Sequence, residues 1–137
     1  RMGVRMMDDS LTDGITADVV DASIQIHRDL GPGLLEWVYE LPLKDEIERR
    51  GYVVERQKEL PLTYRGRTLN HAFRMDLLVN GRILVEVKSS ERTSRVHARE
   101  LFTSLRIMRL PVGLVTNFGL DRMIDGSNRV TTQRFVP

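Results

Sequence analysis

Three side chains that could do chemistry together lie within residues 73–88, namely Asp76, Glu86 and Lys88. Apolar and polar residues alternate on both sides of Asn80-Gly81, a dipeptide typical of a tight hairpin, so this segment is predicted to form two antiparallel strands. Because successive side chains of a strand point to opposite faces, Glu86 and Lys88 share one face.

The length of the hairpin loop decides whether Asp76 meets Glu86. A two-residue loop would pair Asp76 with Val85 and separate the carboxylates, whereas a three-residue loop shifts the register by one and puts both on one face. A left-handed glycine in a bulged turn permits the longer loop. Only that register puts Leu77, Val79, Ile83 and Val85 on a common core side. On the first strand Phe73 and Met75 are apolar like Leu77 and Val79, which leaves Asp76 on the opposite face. We therefore predict a bulged hairpin with Asp76 beside Glu86.

Two converging carboxylates repel each other unless a cation or a proton lies between them. Ligand sets made only of oxygen favour Mg²⁺ or Mn²⁺ over zinc. A neighbouring lysine could orient a water or stabilise charge that develops on a phosphate. These are the parts of metal-assisted phosphodiester hydrolysis. The alternative is a solvated strand face, because the spacing Asp-x9-Glu-x-Lys alone is a loose pattern.

A further carboxylate, Glu36, is a candidate metal ligand. It precedes Tyr39, Leu43 and Ile47 at the spacing of a single helix face. A carboxylate in an apolar stripe is costly to bury without a partner, which a metal or a lysine would supply. Alternatively, Glu36 lies at the edge of the stripe or pairs with an arginine.

Three helices are expected to surround these residues. The first covers about residues 16–29, and its apolar stripe is Ile15, Val19, Ala22 and Ile26. After Gly31-Pro32-Gly33, a second covers about 34–50 and ends at Gly51, with a kink or break expected at Pro42. The third covers about 94–109 and should direct Val96, Leu101, Leu105 and Met108 inward.

The predicted strands are Val53–Leu60 with Leu62–Tyr64, Ala72–Val79, Arg82–Lys88 and Val112–Thr116, with a last edge strand within Arg129–Val136. The order is α-α-β-β-β-α-β. A strand–helix–strand unit beside an antiparallel hairpin implies a right-handed parallel crossover and hence a mixed sheet flanked by helices. The fold class is therefore α/β.

The 137 residues suit one domain. We expect residues 1–14 to be a flexible leader and residues 15–137 to be the domain. No apolar run is long enough to span a membrane, and the lack of cysteine fits a cytoplasmic location. The net charge of +2 gives little support for nucleic-acid binding, but arginines cluster at Arg92, Arg95 and Arg99.

Several motifs, in order, resemble the GxxExxY protein family. The signature is Gly33-Leu34-Leu35-Glu36-Trp37-Val38-Tyr39. Gln57, Tyr64-Arg65-Gly66, Asp76-Leu77-Leu78-Val79, Glu86-Val87-Lys88 and Val112–Gly119 are also similar to that family. The resemblance covers roughly residues 15 to 119, and several ordered motifs are far more specific than one.

This family is grouped with the PD-(D/E)xK nuclease superfamily, so the resemblance implies a restriction-endonuclease-like core. It also implies that Asp76 and Glu86 bind the metal, that Glu36 completes the site and that Lys88 acts in catalysis. Met75 stands where the superfamily's name has proline. Glu100 and Ser104 stand where related sequences often have glutamine and, four residues later, tyrosine.

Two functions are compatible with this pattern. The first is a metal-dependent nuclease that hydrolyses DNA or RNA, with Arg92, Arg95 and Arg99 contacting phosphates. The second is a catalytically silent module that keeps the fold and binds nucleic acid, a protein partner or another copy of itself. The acidic residues and Lys88 favour the first function, whereas Glu100, Ser104 and the modest net charge favour the second.

Overall fold

A computed structural model of the chain describes residues 4–92 and 95–131. The helices are α1 (Val4–Leu30), α2 (Glu36–Arg49), α3 (Arg95–Met108) and α4 (Met123–Gly126). The strands are β1 (Val54–Tyr64), β2 (Arg67–Val79), β3 (Ile83–Lys88), β4 (Val112–Asn117) and β5 (Ser127–Thr131). None of the helices in these ranges is long and apolar enough to cross a membrane.

The five strands form one mixed sheet in the order β1-β2-β3-β4-β5. Neighbouring strands are antiparallel except β3 and β4, which are parallel and are connected through α3. The predicted α/β class and the mixed sheet flanked by helices are confirmed.

Two apolar clusters hold the layers together, one on each face of the sheet. The first joins α1 and α2 to the sheet through the predicted stripes Ile15, Val19, Ala22 and Ile26 on α1 and Tyr39, Leu43 and Ile47 on α2. The second joins α3 to the other face through Leu101 and Leu105, which pack on Met75, Leu78, Leu84 and Val115. The helical periodicity therefore identified the buried face of each long helix.

Helix α1 begins at Val4, so residues 4–14, which the sequence predicted to be a flexible leader, are helical. The division of the chain into a leader and a domain stays a prediction. Thr12 is buried, and its carbonyl accepts a hydrogen bond from the Thr16 hydroxyl at 2.8 Å. Polar residues before Ile15 concealed the helix from a search for apolar spacing.

Helix α2 is continuous through Pro42, which excludes a break there, while a kink stays a prediction. Two other predicted features differ from the structure. Val96, predicted to face inward, is 57% exposed because the first turn of α3 extends past the apolar cluster. Strand β2 begins at Arg67, because β1 and β2 remain paired out to the Tyr64–Arg67 end of the hairpin. The proposed start of α3 at Ser94 and the part of the last strand beyond Thr131 lie outside the described residues.

Candidate active site

The β2–β3 hairpin has the three-residue loop that the apolar pattern predicted. Val79 lies opposite Ile83, and Leu77 opposite Val85, so Asn80, Gly81 and Arg82 make the loop. Asn80 and Gly81 both have positive φ angles, of 52° and 63°, which asparagine and glycine tolerate best. Continued by one residue, this register brings Asp76 to Glu86.

Asp76 is held by the backbone of β3. Its Oδ2 accepts a hydrogen bond of 2.8 Å from the amide of Val87, just beyond the last cross-strand pair of β2 and β3, Leu77 and Val85. The carboxylate thus takes the place of a strand carbonyl. Such a bond to an ionised acceptor is stronger than a neutral one and fixes the carboxylate between the strands.

The strand alternation breaks at Asp76, which corrects one prediction. Met75 belongs to the cluster under α3, whereas Leu77 belongs to the cluster under α1 and α2. On β1, Gln57 would face Asp76, but that pair is missing from the ladder and Gln57 has a positive φ of 56°. This irregularity reorients the chain on both strands, so Met75 and Leu77 do not share a face.

Glu86 and Lys88 line one cavity, as the strand period predicted. It has a volume of about 170 Å³, and Arg74, His97, Glu100, Leu101 and Ser104 complete its lining. Burial, reinforced by repulsion from the Asp76 carboxylate, raises the pKa of Glu86 to about 8, and the charge of Lys88 opposes that rise. Without a cation, this site therefore favours a proton on Glu86.

A second, larger cavity of about 890 Å³ lies on the α2 side of Asp76. Glu36, the first residue of α2, is exposed on its lining. Arg74 lines both cavities, whereas Asp76 lines the larger one and Glu86 the smaller one. The predicted carboxylates are therefore brought to one region, with Glu36 on one side and Glu86 on the other.

The buried acid of α2 is Glu40, which the sequence reasoning missed. It is only 3% exposed; its carboxylate accepts a hydrogen bond from the Gln57 side-chain amide and lies 3.1 Å from Nε of Arg56. Burial raises the pKa of Glu40, the nearby Asp76 and Glu36 raise it further, and Gln57 and Arg56 oppose the rise. The sequence did contain a signal for Glu40, because a residue four positions after Glu36 lies on the same helix face.

The signature tyrosine supports the loop that precedes α2. The hydroxyl of Tyr39 donates to the carbonyl of Gly31 at 2.5 Å and accepts from the amide of Leu34 at 3.0 Å. Its ring stacks on Phe118, with centroids 4.3 Å apart. The Ser89 hydroxyl, one residue after Lys88, donates to the carbonyl of Leu34 at 2.6 Å. The loop before α2 is thereby tied to the end of β3.

Asn117 supports the chain that follows Lys88. Its side-chain oxygen accepts from the amides of Ser90 and Gly119, both at 2.9 Å, and its side-chain nitrogen donates to the carbonyl of Arg92 at 3.2 Å. A Cβ at Gly119 would clash with the carbonyl oxygen of Ser90, so only glycine fits there. The Asn117-Phe118-Gly119 segment thus positions the loop beside the site.

The arginines proposed to contact phosphates, Arg92, Arg95 and Arg99, are exposed before and along the first half of α3. His97, on the same helix, lines the cavity of Glu86 and Lys88. The positions that depart from the family pattern, Glu100 and Ser104, line it too.

The donor chemistry suits a hard divalent cation at the Asp76–Glu86 pair. Both donors are carboxylates, and a cation would relieve the repulsion that now favours a proton on Glu86. Among the described residues, however, no group of three or more acidic, histidine or cysteine side chains is arranged to hold a metal. Glu36 therefore does not complete a three-residue ligand set with Asp76 and Glu86 in this structure.

The family model described as the PD-(D/E)XK nuclease superfamily matches residues 13–130. The chain belongs to this superfamily. No curated protein and no solved structure significantly matches this chain. Nucleases of the PD-(D/E)XK superfamily generally use divalent metals.

Proposed function

We propose that this protein is a Mg²⁺- or Mn²⁺-dependent nuclease of the GxxExxY type that hydrolyses phosphodiester bonds of DNA or RNA. The observation that carries this proposal is the Asp76–Glu86 pair, held together by the hairpin register and the Val87 amide, with Lys88 in the same cavity as Glu86. Two carboxylates held together by a sheet repel each other, and a bound cation would compensate both negative charges. A neighbouring lysine suits a phosphate substrate because its positive charge can stabilise the negative phosphate oxygens.

Asp76 and Glu86 would hold the cation, and Glu36 would reach the same region from the α2 side. When bound, the cation would activate a water and stabilise charge on the phosphate. Lys88 would orient that water or donate to a phosphate oxygen. Arg74, which lines both cavities, would hold the phosphate backbone between them. Arg92, Arg95 and Arg99 would contact the phosphates of the strand further along.

The second candidate is a catalytically silent module that binds nucleic acid or a protein. Glu100 favours it, because this side chain adds a negative charge to the cavity of Glu86 and Lys88. Such a charge opposes the approach of a phosphate.

The test is cleavage of labelled single- and double-stranded DNA and RNA under titration with Mg²⁺ and Mn²⁺. We expect metal-dependent cleavage that falls at least a hundredfold in Lys88→Ala and in Asp76→Asn. Lys58→Ala, which removes an exposed lysine of β1, should cleave like the native protein. Calorimetry should detect Mg²⁺ binding by the native protein and much weaker binding by Asp76→Asn.

Cleavage that survives in Lys88→Ala and Asp76→Asn would reject this site as the source of the activity. If the native protein neither cleaves nor binds Mg²⁺, the silent module is the correct function.

A further inference from the structure

Trp37 lies where the core does not need it. The buried face of α2 is formed by Tyr39, Leu43 and Ile47, whereas the Trp37 side chain is 56% exposed. It lines the larger cavity together with Leu35, which is 69% exposed and immediately precedes the helix. An indole and a leucine thus present an apolar surface in the cavity that Asp76 also lines, among mainly charged residues.

The position of this surface limits what it can contact. Asp76 and Trp37 line the same cavity, so a strand whose phosphodiester is held at the Asp76–Glu86 pair and which continues through this cavity would pass the indole. Arg74 lines the cavity as well and suits the negative backbone of such a strand, whereas Arg56 is paired with Glu40 and the other charged residues of the lining are carboxylates. An exposed aromatic ring near a basic side chain is a combination by which proteins bind single-stranded nucleic acid.

The base that meets Trp37 must be unpaired. Within a duplex, both faces of a base are covered by its neighbours in the stack, so an indole beside the backbone reaches a base face only if that base leaves the stack. Stacking on an aromatic side chain tolerates every base, because each base has a π face. Such a contact would distinguish unpaired from paired strands without reading the sequence.

We propose that Trp37, supported by Leu35, forms a stacking platform for an unpaired nucleobase next to the phosphodiester at Asp76. This proposal rests on the proposed function and narrows its substrate class to single strands or to duplexes with unpaired nucleotides. It assigns specificity for strandedness to α2 rather than to the arginines of α3.

The chain has one tryptophan, so its fluorescence reports on this platform directly. The experiment titrates the full chain carrying Lys88→Ala, in Mg²⁺, so that the cation is present but cleavage is prevented; the titrants are a single-stranded oligonucleotide, the matching duplex and a single strand of abasic sites. We expect the single strand to quench the fluorescence, and the duplex and the abasic strand to quench it much less at equal concentration.

Binding of a labelled oligonucleotide, followed by anisotropy, tests the side chain itself. Trp37→Ala should weaken single-strand binding by about five- to a hundredfold, while Trp37→Phe should retain most of it. The control is Val53→Ala. Val53 is 70% exposed, directly precedes β1, contacts Asn80 in the β2–β3 loop and lines neither cavity, so this variant should bind like the native protein. In Mg²⁺, the loss in Trp37→Ala should appear mainly in KM.

The possible results separate this proposal from the proposed function. Quenching by single strands without any cleavage would support the platform and reject the nuclease. Cleavage without quenching, and with unchanged binding by Trp37→Ala, would support the nuclease and overturn the platform. Quenching by the duplex or by the abasic strand that is as strong as quenching by the single strand would also overturn the platform. So would a lack of response to any nucleic acid, which is the result expected of a protein-binding surface.

Discussion

The burial of Glu40 is decided by side chains of a neighbouring strand. Glu40 lies one turn after the signature glutamate, yet it is buried and Glu36 is exposed. The difference comes from β1, which supplies Arg56 and Gln57 to the Glu40 carboxylate. In the described part of the chain, Nε of Arg56 is buried and has no aligned hydrogen bond, so the nearby Glu40 carboxylate is what compensates its charge.

Glu40→Ala should therefore destabilise the protein. It removes the acceptor of the Gln57 amide and the charge that faces Arg56, so we expect a loss of roughly 1–3 kcal/mol in the free energy of unfolding. Urea denaturation at pH 7 measures this loss. Glu48→Ala, which removes a carboxylate paired with Lys44 on the exposed side of the same helix, should change stability by less than about 0.5 kcal/mol. Equal effects of the two variants would show that Glu40 has no special environment.

The elements around the site are joined through their loops. The loop between α1 and α2 depends on Tyr39, and the loop between β3 and α3 depends on Asn117 and on the close approach of Gly119. The signature tyrosine thus has a structural role, because it orients the segment that carries Leu35 and Glu36.

Tyr39→Phe should loosen the loop before α2 while it retains the stacking on Phe118. We expect a loss of roughly 1–2 kcal/mol in the free energy of unfolding and faster amide exchange at Leu34, whose amide donates to the lost hydroxyl. Tyr64→Phe, at an exposed tyrosine in the β1–β2 hairpin, is the control and should be nearly neutral. Unchanged exchange at Leu34 would contradict this role of Tyr39.

Gly119→Ala should displace the segment that follows Lys88. The added methyl would meet the backbone of Ser90, which cannot yield as a flexible side chain can, so we expect a destabilisation of about 1–3 kcal/mol. Gly14→Ala, inside α1 with open space around it, should instead be neutral or stabilise by up to about 1 kcal/mol. Thermal unfolding of the two variants provides the comparison, and a stable Gly119→Ala would show that this backbone contact is not tight.

For the whole molecule, the Asp76–Glu86 pair makes stability depend on pH. The pKa of Glu86 is about 8 in the folded protein and near 4.5 in an unfolded chain. Between these values the folded protein binds more protons than the unfolded chain, so the stability present below pH 4.5 is lost as the pH rises to 8. The slope contributed by one such group is at most about 1.4 kcal/mol per pH unit.

Chemical denaturation in EDTA from pH 5 to pH 8 should therefore show a falling free energy of unfolding, and Glu86→Gln should flatten the profile. Because a cation and a proton compete for Glu86, Mg²⁺ should restore stability most at high pH, and its affinity should rise up to tenfold per pH unit in this range. A profile that is identical in the native protein and in Glu86→Gln would exclude a shifted Glu86.

Much of the architecture follows from local patterns in the sequence. The stripe of α1, the core face of α2 and the three-residue loop after Val79 are each set by a period of 3.6 or 2 residues and by the backbone freedom of Asn80 and Gly81. From these, the order of elements and the meeting of Asp76 with Glu86 could be predicted, because a register error would have exposed the apolar face of the hairpin.

Only the tertiary structure decided the rest. Periodicity shows which residues share a face, but it does not show what lies opposite them. The burial of Glu40 could not be predicted because it depends on Arg56 and Gln57 of β1. Likewise, the change of face at Met75 depends on an irregularity shared with β1. That Trp37 and Asp76 line one cavity depends on how α2 docks on the sheet. Sequence alone thus determined the repeating elements and their inner faces, whereas the neighbours across the sheet determined the environment of each charged group.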